Sequence, residues 1–432
     1  MAASLLAAAR RRLHRLVRWA PVLPLLFAEF ILWTGFGALL PVMPLYLSEH
    51  GVDVRLLGVV IAAWPAARLV AEPLFGAVAD RTARVPLMVL GLLIAAVSVG
   101  AMAIYTTPVA FIALRAVSGL GTAIYDPAAR GYLTDAAPKG RHGEVFGLYS
   151  SAQMGGILLG PAIGGLGTAL VGGYVFVLAF GAVTTFAAAI AVAARVREVR
   201  DERGKAVPAA LFGEMPAPVE APVTTTAATA GTAAPRSLRN RFLAAALLIN
   251  LASYFGGGLY ETIWALFVTD RGGSVELIGI TFAVFGLTTI LVAPIGGRTI
   301  DRQGPYGWVV IGSILPAAMM ALYPLVTEPL LYVPMVAVEA VGFGFVGPAT
   351  YAIIARGTPP DRSSTAQGIA GAAGTIGTIV ASIAAGLLAS IHIDIPFFVG
   401  AVTVMLLLGL TLVVGGSALR SMTPARGPAA AG

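Results

Sequence analysis

Six ionisable side chains lie inside long apolar stretches of this 432-residue sequence, where a charge is costly. They are four glutamates and two arginines: Glu29, Arg68, Glu72, Arg115, Glu261 and Glu339. A carboxylate in apolar surroundings favours its protonated form, and an arginine there needs a carboxylate or a wet cavity. These residue types are suited to carrying protons or binding a polar ligand.

The spacing of these residues predicts their faces on helices. Glu72 follows Arg68 by one turn, which favours an internal ion pair. The remaining glutamates, Glu29, Glu261 and Glu339, are the candidates for proton coupling, although each could instead be a satisfied polar contact. Two of them share faces with other candidates for the substrate cavity: Glu29 with Trp33, and Glu261 with Asn250 and Tyr254. The excess of acids over arginines favours a cationic substrate.

Long apolar helices must position these side chains. Apolar residues make up 58% of the sequence and charged residues 11%, and the mean hydropathy is +0.87. The apolar residues form blocks of roughly twenty, the length that a helix needs to cross a bilayer. A membrane barrel would show shorter segments of alternating polarity. We number the predicted spans 1 to 12: 22–47, 56–79, 85–105, 107–129, 145–168, 174–194, 242–269, 277–299, 307–326, 330–355, 366–390 and 395–417.

The basic residues predict the orientation, because loops rich in Lys and Arg remain cytoplasmic. Of the 28 Lys and Arg residues, 24 fall in segments that are cytoplasmic if the N-terminus is inside. Both termini are therefore expected in the cytoplasm, with the protein in the cell membrane. The predicted organisation is a cytoplasmic segment 1–21, a six-helix bundle 22–194, a cytoplasmic linker 195–241, a second bundle 242–417 and a tail 418–432.

Composition also argues against several kinds of function. The sequence has no cysteine, and its four histidines show no metal-ligand spacing, so we expect no metal site and no cofactor. The net charge of +7 is explained by topology and anionic lipid, so we expect no nucleic-acid partner. A Ser/His/Asp set and a nucleotide-binding loop are not evident, which disfavours an enzyme; a receptor also finds little support.

The two halves of the chain repeat each other at a constant offset of 221 residues. In the first repeated stretch, Leu45, Gly51, Val54, Leu56, Gly58, Ala62, Pro73, Gly76, Asp80 and Arg81 match Leu266, Gly272, Val275, Leu277, Gly279, Ala283, Pro294, Gly297, Asp301 and Arg302. In the second, Pro127, Pro138, Arg141, Gly147, Gly156 and Gly165 match Pro348, Pro359, Arg362, Gly368, Gly377 and Gly386.

Three motifs accompany the repeat. After span 2 comes Gly76-Ala-Val-Ala-Asp80-Arg81-Thr-Ala-Arg84, where Asp80 ends a helix at its negative pole and Arg84 can supply the compensating cation. Span 4 contains Arg115-Ala-Val-Ser118-Gly119-Leu-Gly121-Thr122. Span 5 contains Gly156-Ile-Leu-Leu-Gly160-Pro161-Ala-Ile-Gly164-Gly165, a flat stripe for close helix packing. The second half keeps Asp301 and Arg302 but has Pro305 and Gly347 where Arg84 and Asp126 would recur.

These motifs and the repeat resemble those of the major facilitator superfamily. The resemblance implies two pseudo-symmetric six-helix bundles in an all-α membrane fold, with spans 1, 4, 7 and 10 lining the cavity. It implies that Asp80 faces the start of span 11 and that Arg84 pairs with an acid ending span 4, here Asp126, as part of a cytoplasmic gate. It assigns Arg115 to proton coupling, although a structural ion pair is an equal alternative.

The span 5 pattern is similar to that of drug/proton exchangers. The function expected is therefore proton-coupled efflux of small lipophilic or drug-like compounds by a monomer, with the proton gradient as the energy source. The alternative is a proton-coupled transporter of sugars or other metabolites, in which the span 5 glycines serve packing alone.

Overall fold

The computed structural model describes residues 22–137, 142–171, 173–198, 238–358 and 363–422. Within these residues, eleven helices are long and apolar enough to cross a membrane, and a bent pair supplies a twelfth span. No strand occurs in this part of the chain. The repeat residues Pro138, Arg141, Pro359 and Arg362 lie outside it, as do residues 1–21, 199–237 and 423–432, so the predicted boundaries of the tails and linker stay predictions.

Each span follows the apolar block that predicted it. Span 1 is broken into Leu23–Leu39 and Met43–Glu49, with a 47° bend near Pro41. The other helices are, for spans 2 to 6, Val54–Ala79, Arg84–Ala101, Pro108–Ala136, His142–Val171 and Val175–Arg195, and for spans 7 to 12, Arg241–Asp270, Val275–Gln303, Tyr306–Leu322, Tyr332–Gly357, Ser363–Ala389 and Ile395–Ser421. The predicted fold class is confirmed.

The helix starts follow local capping rules. Thr107, Asn240 and Ser274 cap spans 4, 7 and 8 by accepting from the backbone N–H three residues later. Gly51 and Gly272, which are repeat counterparts, have φ of 74° and 79° in the turns after spans 1 and 7. Only glycine adopts this backbone without strain, so the repeat extends to the turns.

Corresponding helices of the two bundles have corresponding neighbours. In the first bundle, span 1 packs on spans 5 and 6, span 4 on spans 2 and 3, and span 3 on span 6. In the second bundle, span 7 packs on spans 11 and 12, span 10 on spans 8 and 9, and span 9 on span 12. Across the bundles, span 2 packs on span 11 and span 5 on span 8.

The bundles touch each other at one end. We call the end where span 1 starts and span 12 finishes the terminal side, and the opposite end the far side. Far-side contacts join Gly58 to Ser382 and Gly165 to Gly279, and Arg55 Nε donates to Ser390 Oγ at 3.1 Å. Near the terminal side, a Cβ added at Gly147, Gly297 or Gly368 would meet no described atom within 4 Å. Among the described residues, the two bundles are therefore closed against each other on the far side and open on the terminal side.

Candidate functional site

One ion pair joins the two bundles inside the membrane. Arg115 of span 4 places Nη2 3.3 Å from Glu261 Oε1 of span 7, and Nη2 also lies 3.5 Å from the Ile61 carbonyl. The arginine side chain is 5% exposed and the glutamate 21%. Both residues lie about 10–14 Å from the far-side ends of their helices. The pair therefore belongs to the closed half of the interface.

Glu29 lies inside the first bundle and is completely buried. Its Oε1 accepts from Trp33 Nε1 at 2.7 Å and from Gln153 Nε2 at 2.5 Å, and its Oε2 accepts from the Tyr125 hydroxyl at 2.5 Å. Three donors compensate for removing this carboxyl group from water. Spans 1, 4 and 5 all contribute to this site.

A four-residue charge network joins spans 2 and 4 on the terminal side of the Arg115–Glu261 pair. Arg68 pairs with Glu72, as the spacing predicts, and also with Asp126. Asp126 Oδ2 lies 3.3 Å from Arg130 Nη2 as well. The two arginines balance the two carboxylates, so the network is neutral when all four residues are ionised. Glu72 and Arg130 are more exposed than Arg68 and Asp126. The network therefore lies at the wall of the terminal-side opening.

Glu339 lies inside the second bundle with 2% exposure. Its Oε2 accepts from the Tyr323 hydroxyl at 2.7 Å. Its Oε1 and the Tyr260 hydroxyl are also buried, and neither makes a hydrogen bond of normal geometry among the described residues. The aromatic rings of Tyr260, Trp264 and Tyr323 pack against one another here. Within the described ranges no salt bridge to this carboxyl group is present.

The candidates for proton coupling do not share one cavity in this conformation. Glu29 is enclosed by its own bundle, Glu339 by the other, and Arg115 and Glu261 alone meet between them. The reason is the rotation of each helix about its own axis. Span 1 turns Glu29 toward spans 4 and 5, and span 10 turns Glu339 toward span 9.

Aromatic side chains lie beside the central ion pair. Trp33, Phe36 and Trp64 form a row on spans 1 and 2, with ring centroids 5.1 Å apart at each step, and all three are partly exposed. Trp64 lies between two guanidinium groups, with the Arg68 Cζ 4.6 Å and the Arg115 Cζ 5.9 Å from its ring centroid. We call Trp33, Phe36 and Trp64 the aromatic row.

On span 7 of the other bundle, Tyr254 is 50% exposed, while the Asn250 side chain donates to the Ala370 carbonyl at 2.6 Å. Asn250 and Tyr254 are the repeat counterparts of Glu29 and Trp33 at the offset of 221 residues. The same two positions of the repeat therefore carry polar and aromatic side chains in both bundles.

The predicted pairing of Arg84 with Asp126 is wrong. Arg84 is buried, and its Nε lies 3.0 Å from Asp135 Oδ2 and its Nη2 3.8 Å from Asp80 Oδ1. Span 4 continues to Ala136, seven residues beyond its predicted end, so Asp135 rather than Asp126 is the acid that ends it. A Cβ at Gly131 would overlap the Arg84 guanidinium, so this glycine makes room for the arginine.

The other gate candidates lie on the terminal-side surface. The Asp80 side chain is 76% exposed, and Arg81, Asp301 and Arg302 are exposed as well. Gly76 faces Pro127 of its own bundle. Among the described residues, no hydrogen bond or ion pair joins the gate candidates of one bundle to those of the other.

The span 5 motif serves two interfaces. A Cβ at Gly156 would lie 2.8 Å from Thr34 N, a Cβ at Gly160 2.6 Å from Ala38 N and a Cβ at Gly164 3.0 Å from Ala38 Cα, all on span 1 of the same bundle. By contrast, Gly165 and the Pro161 carbonyl face Gly279 of span 8. Three of the glycines therefore build the first bundle, and the last one joins the two bundles.

Sequence reasoning did not identify several residues that complete these sites. They are Trp64, Tyr125, Gly131, Asp135, Gln153 and Tyr323. Asp135 had a usable signal, because it is the last acid before the loop that follows span 4. The others are ordinary membrane-helix residues whose partners lie on other spans.

The twelve spans in two bundles, closed on one side around an intramembrane ion pair, define an integral membrane transporter. The chain belongs to the Major Facilitator Superfamily, whose family model matches residues 25–250 and again 246–429. An uncharacterised MFS-type transporter of Methanocaldococcus jannaschii is 23% identical over 370 residues, which cover 84% of this chain and 91% of that protein.

Other relatives resemble this chain more locally or in fold alone. Quinolone resistance protein NorA of Staphylococcus aureus is 28% identical over 141 residues, about a third of each chain (33% and 36%). A bacterial homologue of the human lysosomal transporter Spinster, in an inward-facing and occupied conformation, has a TM-score of 0.73 at 14% identity and covers 94% of this chain and 98% of its own. The nucleoside transporter NupG has a TM-score of 0.68 at 15% identity, covering 93% of this chain and 99% of its own.

Proposed function

We propose that this protein is a proton-coupled exporter of small lipophilic or drug-like compounds. The observation that carries the proposal is the Arg115–Glu261 ion pair, because it connects the two bundles on the side that is closed. In the proposal both termini are cytoplasmic, as the basic residues indicate, so the described conformation opens to the cytoplasm.

The ion pair provides a way to couple proton binding at Glu261 to opening of the far side. When Glu261 is ionised, its attraction to Arg115 holds the bundles together on the far side. Once the bundles have separated there, a proton from the far side reaches Glu261, neutralises it and keeps the pair from re-forming. Substrate leaves in this far-side-open state, and release of the proton after return to the terminal-side-open state restores the pair. Glu29 and Glu339 are further proton-binding candidates in this proposal, each in its own bundle.

The substrate class is supported by the lining of the opening. The aromatic row offers partly exposed rings without an unbalanced charge, because Arg68 is paired with Glu72 and Asp126 and Arg115 is paired with Glu261. Aromatic faces bind apolar and aromatic ligands by contact area and stacking. The sequence similarity to a protein named for quinolone resistance, although confined to 141 residues, also supports this class.

The central test is Glu261→Gln in proteoliposomes, with ethidium as the transported probe. We expect Glu261→Gln to lose transport driven by a pH gradient by at least about tenfold, because glutamine cannot carry a proton. Movement of ethidium down its own concentration gradient should continue, because the neutral glutamine side chain mimics protonated Glu261. The matched control is Glu328→Gln, which changes an exposed far-side acid.

Two results would contradict the proposal. One is wild-type gradient-driven transport by Glu261→Gln. The other is ethidium transport by the unaltered protein at the same rate with and without a pH gradient. Glu339→Gln, measured in the same way, tests whether the buried carboxyl group of the second bundle also carries a proton.

A further inference from the structure

A groove lies on the outside of the first bundle, between spans 1 and 6 near the terminal side. Its volume is about 600 Å³. Span 1 lines it with Leu23 and Phe27, and span 6 lines it with alanines, Ile190 and Arg195. The three large apolar side chains are exposed. The groove therefore faces the lipid around the first bundle and not the opening between the bundles. We call it the lateral groove.

The lateral groove forms because spans 1 and 6 diverge toward the terminal side. In the far-side half of the two spans, a Cβ at Gly35 would lie 3.2 Å from Gly181 Cα, so the helices are in backbone contact there. At the groove, span 6 presents Ala187, Ala191 and Ala194, whose spacing of four and three residues places them on one face. Methyl groups are too small to fill the space that the divergence leaves.

The corresponding place in the second bundle is closed. Ala245 of span 7 and Gly415 of span 12 are the repeat counterparts of Pro24 and Ala194, which both line the groove. A Cβ at Gly415 would lie 2.5 Å from Ala245 Cβ, and Ala245 is completely buried. The lateral groove is therefore a property of the first bundle and does not follow from the repeat.

Arg195 is the one charged side chain among the described residues that line the lateral groove. It lies in the last turn of span 6 and is exposed, and no carboxylate of the described residues pairs with it. Glu198, the nearest acid along the chain, accepts instead from the Val85 backbone N–H of span 3 at 2.7 Å. The Arg195 guanidinium is therefore available to an anion from outside the protein.

We propose that the lateral groove binds one anionic phospholipid from the leaflet on the terminal side, with its phosphate on Arg195 and an acyl chain along Phe27 and Ile190. Guanidinium and phosphate groups form strong, often bidentate hydrogen bonds. Basic side chains at a membrane surface attract anionic lipids. A free phosphate ion would leave the apolar part of the groove without a partner, so the combination of a long apolar surface and one cation favours a lipid.

Charge disfavours the chain's own N-terminal segment as the occupant. Residues 1–21, which precede span 1, contain five arginines and no acid. A segment of this sign is repelled by Arg195, whereas an anionic lipid is attracted both by Arg195 and by the segment. The lipid site concerns the outer surface of the first bundle, so it depends neither on the substrate nor on proton coupling.

Photolabelling identifies what occupies the lateral groove. The full-length protein, with p-benzoylphenylalanine in place of Phe27, is irradiated in nanodiscs of equal parts phosphatidylglycerol and phosphatidylethanolamine. We expect phosphatidylglycerol adducts to exceed phosphatidylethanolamine adducts about fivefold, the effect of one basic group at an anionic surface. The same label in place of Phe186, an exposed ring of span 6 outside the groove, should react with both lipids equally.

Substitution of the arginine tests the contact with the headgroup. Arg195→Gln should bring the ratio of the two adducts at position 27 to about one, because the only cation of the groove is then absent. The matched control is Arg420→Gln, which removes an exposed basic residue from the last turn of span 12 and should leave the ratio unchanged.

Filling the groove tests the contact with the acyl chain. In native mass spectrometry, Ala191→Phe should remove one bound phosphatidylglycerol, and Ala194→Phe takes its place if that variant does not fold. Ala193→Phe adds the same ring at an exposed position of the same helix outside the groove, so it should keep the lipid.

Several outcomes would overturn the proposal. Equal adducts of the two lipids at position 27, or an unchanged preference in Arg195→Gln, would show that the groove does not select an anionic headgroup. Retention of the lipid by the groove-filling variants would place it elsewhere. Adducts to residues 1–21 or to a second copy of the chain would assign the groove to the N-terminal segment or to a dimer.

Discussion

At the scale of single residues, the partners of a polar group decide its role. The Glu29 carboxyl group lies within hydrogen-bond distance of an indole, an amide and a phenol. Glu29→Gln replaces one acceptor oxygen by an NH2 group, so one of the surrounding groups must turn to accept from it or lose its hydrogen bond. We expect it to destabilise the protein by about 1–3 kcal/mol, the typical penalty for a buried unsatisfied group. The unfolding temperature in detergent, compared with that of the wild type, measures this loss of stability.

Glu328→Gln is the surface control for that measurement, and it should unfold at the wild-type temperature. An unfolding temperature for Glu29→Gln equal to that of the wild type would contradict the expectation. It would show that the neighbouring hydroxyl and amide groups turn to accept from the new NH2 group.

A second prediction at this scale concerns the buried Arg84. Because its guanidinium contacts Asp135 and not Asp126, Arg84→Gln and Asp135→Asn should be coupled in a double-mutant cycle by about 0.5–3 kcal/mol. Arg84→Gln and Asp126→Asn should be additive within about 0.5 kcal/mol. Equilibrium unfolding of the wild type, the three single variants and the two double variants gives both energies. Coupling of Arg84 to Asp126 alone would restore the assignment made from the motif.

At the scale of elements, span 5 shows that one motif can serve two interfaces. Gly160 packs on span 1 within its bundle, whereas Gly165 meets span 8 of the other. We expect Gly160→Leu to destabilise the fold by about 1–3 kcal/mol through overpacking. Gly165→Leu should leave the first bundle folded and weaken far-side closure. Gly147→Leu in the same helix is the control that meets no neighbour.

Thermal stability and spin-label distances separate these effects. Gly160→Leu should lower the unfolding temperature. Gly165→Leu should chiefly change the distance between spin labels placed on the terminal side at Thr134→Cys and Ala355→Cys. If both substitutions lowered stability equally and left the distances unchanged, the division of the motif between two interfaces would be wrong.

At the scale of the whole molecule, the arrangement of basic residues predicts which side faces the cytoplasm. Single introduced cysteines can test this orientation, because the chain has no cysteine of its own. A membrane-impermeant maleimide should label Ser48→Cys, on the far side, in intact cells, and Thr134→Cys, on the terminal side, only after lysis. The reverse pattern would overturn the orientation and, with it, the direction assigned to transport.

The elements themselves were largely predictable. A membrane helix needs about twenty apolar residues, and this requirement alone located all twelve spans. The errors occurred at helix ends: span 4 continues through Arg130, Thr134 and Asp135, since a helix keeps its backbone hydrogen bonds after it leaves the hydrocarbon. That one boundary led to the wrong partner for Arg84.

The sequence by itself determined the membrane helices, the repeat and the adjacent pair Arg68–Glu72, because each follows from local spacing or from self-similarity of the chain. Tertiary structure alone decided that Arg115 meets Glu261, that Glu29 and Glu339 are enclosed in separate bundles, and that one set of repeated glycines is in contact while the other is apart. Periodicity fixes which residues share a face of a helix. It does not fix how far each helix is rotated toward its neighbours, and in a membrane those rotations decide which charges find partners.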